Sequence, residues 1–278
     1  MSRVLMFLLA LAPCGASAAG FECLLEPWQV VEVRSSVDGM IATIAVNRGD
    51  VIRRGQPLVT LQSDVERIAI EAARFRVRME GQISAARNRI DYSTKKLARL
   101  TDLQKDNFTS VQARDEAEAE KRLAESELQA AVESRELARL EQMRLQEAMA
   151  LRTLTAPFNG VVVDRMLNPG DLAESGAGRK AVLKVAQIDP VRADVALPAA
   201  LFGQVKAGIK VTLTASVGGG RFAATVRSVD RVIDAASSTF VARLEVPNAN
   251  GQVPTGSRCE AAIDGITAPS RQAAIGKP

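Results

Sequence analysis

The sequence predicts an α+β fold: an elongated multi-domain chain in which a long antiparallel coiled-coil α-hairpin is inserted into a small β-sandwich and followed by a small antiparallel β-barrel. Three observations predict it. Residues 63–150 contain no Pro and a single Gly, Gly81, between the flanking Pro57 and Pro157. The segments on either side of that stretch repeat one another in the spacing of glycine and aspartate. From Asp189 onward, apolar residues alternate with period two.

The Pro-free stretch reads as helix. Ile68, Ala72, Phe75, Met79, Ile83, Ala86, Ile90, Leu97 and Leu100 fall mostly at alternating steps of three and four, the spacing of a heptad seam. Ala117, Ala124, Leu128, Ala131, Ala138, Leu145 and Met149 keep that rhythm in the second part, with opposite charges such as Glu118 and Arg122 at helical spacing. The run 105–110, Lys-Asp-Asn-Phe-Thr-Ser, is the turn between two arms. Two arms of about forty residues make a rod roughly 60 Å long. Ala-rich seam positions bury little area each, so such a rod is better suited to reach than to core formation.

The flanking segments form the repeat. Gly39, Gly49, Asp50 and Gly55 have the same mutual spacing as Gly160, Gly170, Asp171 and Gly176. Each half reads as a strand, a Gly-Asp turn and a second strand, too little to bury itself, so the two halves are expected to pair into one sandwich. In the last third, Val191, Ala193, Val195 and Leu197 alternate with polar residues. So do Ile209, Val211, Leu213 and Ala215, then Phe240, Ala242, Leu244 and Val246, then Cys259, Ala261 and Ile263, with Gly-rich turns between.

Composition narrows the function. The 278 residues are 47% hydrophobic and 4% aromatic, with one Trp, one Tyr and no His. A Ser-His-Asp hydrolase and a His-rich metal site are thereby excluded. The net charge of +4 does not mark a nucleic-acid binder, because acidic and basic residues interleave, as in 114–122, and no basic run carries stacking aromatics. Carboxylates such as Asp38 and Asp50, or Asp164 and Asp171, stand beside glycines in turns, where Asp is common for backbone reasons. Gly218-Gly219-Gly220 lacks the Lys and Ser or Thr of a phosphate loop.

The N-terminus reads as an export signal: Met1-Ser2-Arg3 is a positive start, residues 4–12 form an apolar core, and Ala16-Ser17-Ala18 is an A-x-A cleavage site. Pro13 stands where a lipoprotein signal wants a small residue, so simple cleavage is favoured over lipid anchoring at Cys14. Cleavage leaves Cys23 and Cys259 in an oxidising compartment. The pair admits two readings, a disulfide tying the first mature residues to the last strand, or two unrelated cysteines.

Residues 39–61 and 155–185 resemble the two halves of the lipoyl or biotinyl type sandwich, a lipoyl-like barrel-sandwich hybrid, as found in periplasmic adaptor proteins. These are the membrane fusion proteins of resistance-nodulation-division efflux pumps and related secretion systems. Thr155-Ala156-Pro157-Phe158-Asn159-Gly160-Val161-Val162 is similar to the family's A-P-F-[DN]-G-x-[VI] run. Phe202-Gly203-Gln204-Val205-Lys206-Ala207-Gly208 resembles its barrel helix and following turn, and Ser238 to Asn248 its T-F-x-V-R-x-x-x-x-N strand. The similarity covers about Val30 to Ile263. Carrier domains of this fold bear a cofactor on a lysine between their halves. This chain places the hairpin there and has no M-K-M tripeptide, so no cofactor is expected. Pro254-Thr255-Gly256 replaces the family's usual P-G-M, and the membrane-proximal domain is expected to be short or missing.

The resulting layout is a signal peptide at 1–18, an N-terminal segment at 19–34, sandwich halves at 35–62 and 151–187, the hairpin at 63–150, the barrel at 188–265 and a tail at 266–278. The resemblance implies a non-catalytic periplasmic adaptor. It would lie peripheral to the inner membrane, bridge an inner-membrane transporter, with the resistance-nodulation-division type favoured, to an outer-membrane channel protein, and assemble as a homo-oligomeric ring. The alternatives are an adaptor for an ATP-driven, type I-like exporter and a lipoyl or biotinyl carrier protein. The resemblance also points to Arg99, Leu103 and Ser110 at the hairpin tip as channel-docking residues. Arg99 would bond carbonyls or carboxylates, Leu103 would fill an apolar notch and Ser110 would allow close helix approach. No metal site is expected.

Overall fold

A computed structural model describes residues 20–176 and 179–266. The expected signal peptide, Cys14 and all of the tail after Ile266 lie outside the described residues.

The chain begins with the long strand β1 (Phe21–Val33), followed by β2 (Gly39–Ile44), β3 (Val51–Ile52) and β4 (Pro57–Leu61). Three helices come next, α1 (Asp64–Arg78), α2 (Gly81–Lys105) and α3 (Val111–Ala150). The second β-half contains β5 (Thr153–Thr155), β6 (Gly160–Arg165) and β7 (Leu172–Ala173), and leads into the 16-residue β8 (Leu183–Pro198). The chain then makes β9 (Lys210–Ala215), β10 (Arg221–Val229), β11 (Thr239–Val246) and β12 (Ser257–Ile263).

Six strands close a barrel in the order β1, β12, β9, β10, β11, β8, with β8 pairing back onto β1. Closure leaves no free edge among these strands, which is how a small antiparallel barrel avoids edge pairing with other chains. Its alternating residues point inward as a core that includes Leu25, Val195, Leu213, Phe240 and Leu244. The second core lies between the paired halves of the sandwich and contains Ile41, Ile52, Leu58, Leu61, Val162 and Leu183. The two units are continuous through β1 and β8. Residues 23–27 of β1 pair with the barrel half of β8, and Gln29–Val33 pair with its sandwich half across an irregularity at Pro27/Gln29.

The sandwich halves repeat in three dimensions as in sequence. The Gly49 N–H donates to the Val162 carbonyl at 2.9 Å, and the Gly170 N–H donates to the Ile41 carbonyl at 2.8 Å. The reverse bonds, Val162 N–H to Asp50 carbonyl and Ile41 N–H to Asp171 carbonyl, are both 2.9 Å. Each Gly-Asp turn is thus fastened to the strand that leads into the other turn, β6 for Gly49-Asp50 and β2 for Gly170-Asp171.

The first arm of the hairpin differs from the expected continuous helix. It breaks at Met79 and Glu80: Met79 adopts an extended ψ of 111°, its N–H bonds the Arg76 carbonyl at 3.2 Å, and α2 starts at Gly81. Glycine is the weakest helix former after proline, and Gly81 is the lone glycine of the stretch. The break shifts the phase of the seam. From Ile83 to Leu100 the expected positions do face α3, with Ile83 and Ala86 buried, and in α3 so are Ala117 and Ala124. Below the break the seam is carried by Ile70 and Ala73, while the expected Ile68, Phe75 and Met79 are exposed. The heptad read downward from Ile83 therefore lands on the outer face of α1.

A second difference concerns 202–208, expected to hold a short helix. The helical turn lies earlier, at Ala199–Leu201, and Gly203 and Gly208 take positive φ values of 83° and 91° that favour turns over helix.

Candidate functional site

The hairpin tip is shaped by backbone bonding. The Asn107 N–H bonds the Gln104 carbonyl at 3.1 Å and the Phe108 N–H bonds the Leu103 carbonyl at 2.8 Å, with Asn107 at φ 60°. A left-handed Asn after the last helical turn is a common helix terminator. Ser110 then caps α3: its Oγ accepts the Ala113 N–H at 3.2 Å, from an extended backbone with ψ 154°. Leu103 is 44% exposed. Arg99 is exposed on the same face one helical turn below Leu103, with no ion pair among the described residues. It lies roughly 9 Å from the end of α2 at 1.5 Å per residue. Arg99 and Leu103 thus form an i, i+4 pair on one helix, whereas Ser110 is engaged at the start of the other. The largest apolar group at the tip is one that sequence reasoning passed over as part of the turn: Phe108, 78% exposed, with the exposed Val111 beside it. A Phe amid capping residues was the available signal.

Below the tip the two arms are joined by a polar clamp. Glu120 of α3 accepts from the Lys96 Nζ at 2.7 Å and pairs with Arg89 at 3.6 Å. The hydrogen bond from Lys96 holds the Glu120 carboxyl below its ordinary range, and the same bond raises the Lys96 ammonium. Ser93 is fully buried in the seam and donates to the Ile90 carbonyl at 3.1 Å. At the base, Arg152 pairs with Glu66 at 2.5 Å and donates to the Gln62 carbonyl at 2.9 Å, locking the root of α1 to the end of α3.

The sandwich turns place their carboxylates identically. Asp50 Oδ2 accepts the Asn47 N–H and Asp171 Oδ2 accepts the Asn168 N–H, each at 2.7 Å. Asp38 Oδ1 accepts from the backbone and hydroxyl of Ser175, at 2.5 and 2.8 Å, and these bonds hold its carboxyl below the usual range. Asp38, Asp50 and Asp171 thus fasten turns and loops, whereas Asp164, expected in a turn, lies within β6, where its Oδ1 accepts the Arg165 N–H at 2.9 Å. Gly160 sits tightly, since a Cβ there would lie 2.1 Å from the Ala186 carbonyl oxygen. Gly39 faces the movable side chains of Arg152 and Leu61.

At the junction of sandwich and barrel, the buried Asn248 acts as a clasp. Its N–H donates to Asp189 Oδ1 at 2.9 Å, its Nδ2 to the Ile188 carbonyl at 2.9 Å, and its Oδ1 accepts the Val253 N–H at 2.8 Å. The neighbouring cleft, about 480 Å³, is lined by Val51, Arg53, Asn159 and Asn250 among others. In the barrel, Cys23 and Cys259 are directly opposed across β1 and β12 and joined by a disulfide, with Cα atoms 4.9 Å apart. Among the described residues no group of three His, Cys, Asp or Glu side chains is placed to hold a metal ion, and no helix is long and apolar enough to cross a membrane.

The parts and their order match known proteins. Residues 29–187 match the family described as CzcB-like, barrel-sandwich hybrid domain, and residues 190–265 the CusB-like, beta-barrel domain. The pyoverdine export membrane fusion protein PvdR of Pseudomonas putida is 23% identical over 207 residues, 74% of this chain and 53% of the relative. The chain spans about half the length of the curated relatives it matches. Among solved structures, MacA from Actinobacillus actinomycetemcomitans superposes with a TM-score of 0.74 at 22% identity, covering 88% of this chain and 77% of that one. Spr0693 from Streptococcus pneumoniae R6 superposes with a TM-score of 0.62 at 16% identity, covering 88% and 98%. These two likenesses are of fold. The family match spans more than half of the sequence and is continued by the barrel match, and the chain belongs to the periplasmic adaptor, or membrane fusion protein, family.

Proposed function

We propose that this protein is a non-catalytic periplasmic adaptor of a tripartite efflux system, bridging an inner-membrane transporter to an outer-membrane channel. The observation that carries the reading is the position of the rod. The hairpin leaves the sandwich at the end where Thr60 and Thr153 meet, while the barrel joins at the opposite end beside Val51 and Asn159. A chain that separates its two ends in this way suits a bridge. Arg99, Leu103 and Phe108 at the tip would engage the channel, while barrel and sandwich would bind the transporter and line up with other copies in a ring. Non-catalytic action is supported by the turn carboxylates, whose oxygens are committed to backbone N–H groups. A resistance-nodulation-division transporter is favoured by the barrel's match to a family whose name carries RND, and export by the printed role of the Pseudomonas relative.

The test is recovery of partners from cells producing the tagged full chain. Crosslinking followed by mass spectrometry is expected to recover one inner-membrane transporter and one outer-membrane channel, the latter linked through the tip. Arg99→Glu with Phe108→Ser is expected to abolish channel recovery and efflux while leaving helicity unchanged. Unchanged channel crosslinking and efflux in that variant, or a lysine-bound cofactor mass on the purified chain, would overturn the reading.

A further inference from the structure

We infer that the free end of the barrel seats directly on an anionic lipid surface, with Phe202, Val232 and Ile233 entering the headgroup layer. The inference rests on the adaptor reading for placing that surface at the inner membrane. It deepens that reading by naming a lipid contact that needs no transporter.

The barrel has one end joined to the sandwich and one end free. The free rim is formed by the start of β1 at Phe21, the ends of β8, β10 and β12 at Pro198, Val229 and Ile263, and the starts of β9 and β11 at Lys210 and Thr239. Two connections cross it, residues 199–209 and 230–238, and they are tied together where the Ala199 N–H bonds the Ser238 carbonyl at 2.9 Å. The second carries extra chain. Val229 faces Ala242 and Asp234 faces Thr239, so five residue steps on one side oppose three on the other, and the surplus holds Val232 and Ile233 outside the ladder. Val232 is 81% exposed and Ile233 39%. In the first connection Phe202 stands edge-to-face with Phe240 of the core, ring centroids 5.4 Å apart, yet stays 45% exposed. Ala200, Ala207, Ala235 and Ala236 beside them are exposed as well. Apolar side chains offered to water in one place mark a contact surface.

Shape and charge select the occupant. The clefts along the hairpin, at the junction, beside the disulfide and at the hairpin root are lined by none of these residues. The rim presents single apolar side chains on projecting loops, a form suited to shallow entry into a headgroup layer. At the rim Lys206, Lys210 and Arg231 balance Asp230, Asp234 and Asp264, and the Asp234 carboxylate accepts the Ala236 N–H of its own loop at 2.9 Å. Surplus charge comes from the chain that leaves the rim. Gly20 and Ile266, where the described residues start and stop, both stand here, since Phe21 pairs with Ala261 and the Ile266 N–H bonds the Ile263 carbonyl at 3.1 Å. Residues 1–19 and 267–278 carry Arg3, Arg271 and Lys277 and no acidic residue. Positive charge without negative, next to exposed apolar loops, complements an anionic bilayer, where each Lys or Arg near the surface strengthens binding about fivefold.

This placement also aims the rod. β1 and β8 run through both units, and the hairpin leaves the sandwich at the end away from the barrel. A barrel standing on its free rim therefore points the hairpin away from the lipid and leaves the barrel wall open to a transporter alongside.

The test is flotation of the purified full chain, with no other protein present, on vesicles of equimolar phosphatidylcholine and phosphatidylglycerol. The chain is expected to float with these vesicles and about tenfold less with phosphatidylcholine alone. Val232→Glu, at a side chain too exposed to support the fold, should lower the partition about tenfold with unchanged urea unfolding, and Phe202→Glu should do so at least as strongly. Val217→Glu, at a 61% exposed side chain in the β9–β10 turn on the joined end, should leave it unchanged. In a Trp28→Phe chain, the indole introduced by Val232→Trp should be quenched by nitroxide lipid labelled near the headgroups. Undiminished flotation of the chain carrying both Phe202→Glu and Val232→Glu, or an equal loss with Val217→Glu, would overturn the inference. So would flotation that appears only with a transporter in the vesicle, which would make the rim a protein contact. Recovery of transporter and channel from cells without flotation would remove the lipid contact and keep the adaptor, whereas flotation without those partners would do the reverse.

Discussion

The β-body and the rod are built on opposite physical terms. In the body, Leu213, Leu244 and Phe240 are almost fully enclosed and each strand contributes to a shared core. In the rod, the buried residues are mostly Ala, Ser and Ile, in a seam one residue wide, and polar contacts such as Lys96 with Glu120 cross it. The body holds its shape through area removed from water, while the rod relies on helix continuity, caps and surface charge pairs, each worth a fraction of a kcal/mol. The body should thus set the global stability and the rod should melt locally.

Substitutions can break this contrast at several strengths. The largest effect is expected for Cys259→Ser, which frees the ends of a long loop and should cost about 4 kcal/mol. Urea unfolding followed by Trp28 fluorescence reads it, because Trp28 is the single Trp and lies within β1. Next, Leu213→Ala should cost about 3 kcal/mol in the same experiment. Leu128→Ala in the half-buried seam should leave the Trp28 transition in place and alter only the helical signal in circular dichroism. An equal shift for both would collapse the distinction between body and rod.

Within the body, Gly160→Ala drives a methyl into the Ala186 carbonyl and should cost about 2–3 kcal/mol, whereas its counterpart Gly39→Ala displaces only the end of the Arg152 side chain and its bond to the Gln62 carbonyl and should cost about 1 kcal/mol. Comparing their urea midpoints measures how unequal the two halves are. In the rod, Ser110→Ala should lose about 1 kcal/mol of local helix stability and Ser110→Asp should restore it, read by amide exchange in the first turn of α3.

The smallest effect is that of acid on the clamp. Glu120 has a lowered pKa in the folded state, so its contribution is present above the ordinary value of 4.5 and is lost as pH falls through the lower folded value. Lys96 is raised above 10.5, so its contribution is present below that value and is lost only as pH rises through the higher folded one. Rod helicity should therefore be flat from about pH 5 to 10. It should soften in acid before the barrel does, and Glu120→Gln should reduce that acid sensitivity, leaving the part due to Glu141, whose carboxyl the hydrogen bond from Arg144 also holds below its ordinary range.

Much of this was legible in the sequence, for reasons that differ by element. Period-two alternation marked β8, β9, β11 and β12 because each has one face buried. The glycine and aspartate spacing revealed the two halves, since a turn with φ near 90° at Gly49 and Gly170 needs glycine. β1 was harder to read: Phe21, Cys23 and Leu25 alternate, but Pro27 interrupts the pattern where the strand passes from barrel to sandwich. The seam of α1 was misread because that helix carries two apolar stripes, and only the break at Met79 decides which faces α3. At the tip, Ser110 was visible as a cap and Arg99 and Leu103 as a helical pair, while the exposure of Phe108 depends on how the turn folds back.

The pairing of β1 with β12 carries a further consequence, for the order in which the molecule is made. Cys23 and Cys259 are 236 residues apart, and the first strand of the barrel cannot meet its last until residues 257–263 have been made. The reciprocal turn bonds of the sandwich likewise wait for the second half to return from the hairpin. The helices, whose contacts are local, can form while the chain is still emerging, and the β-body is the last part to close. A chain stopped short of residue 257 would present a finished rod attached to an open strand edge, the kind of surface on which aggregation starts. Quality control of this β-body is thus a matter of the strands that close its barrel.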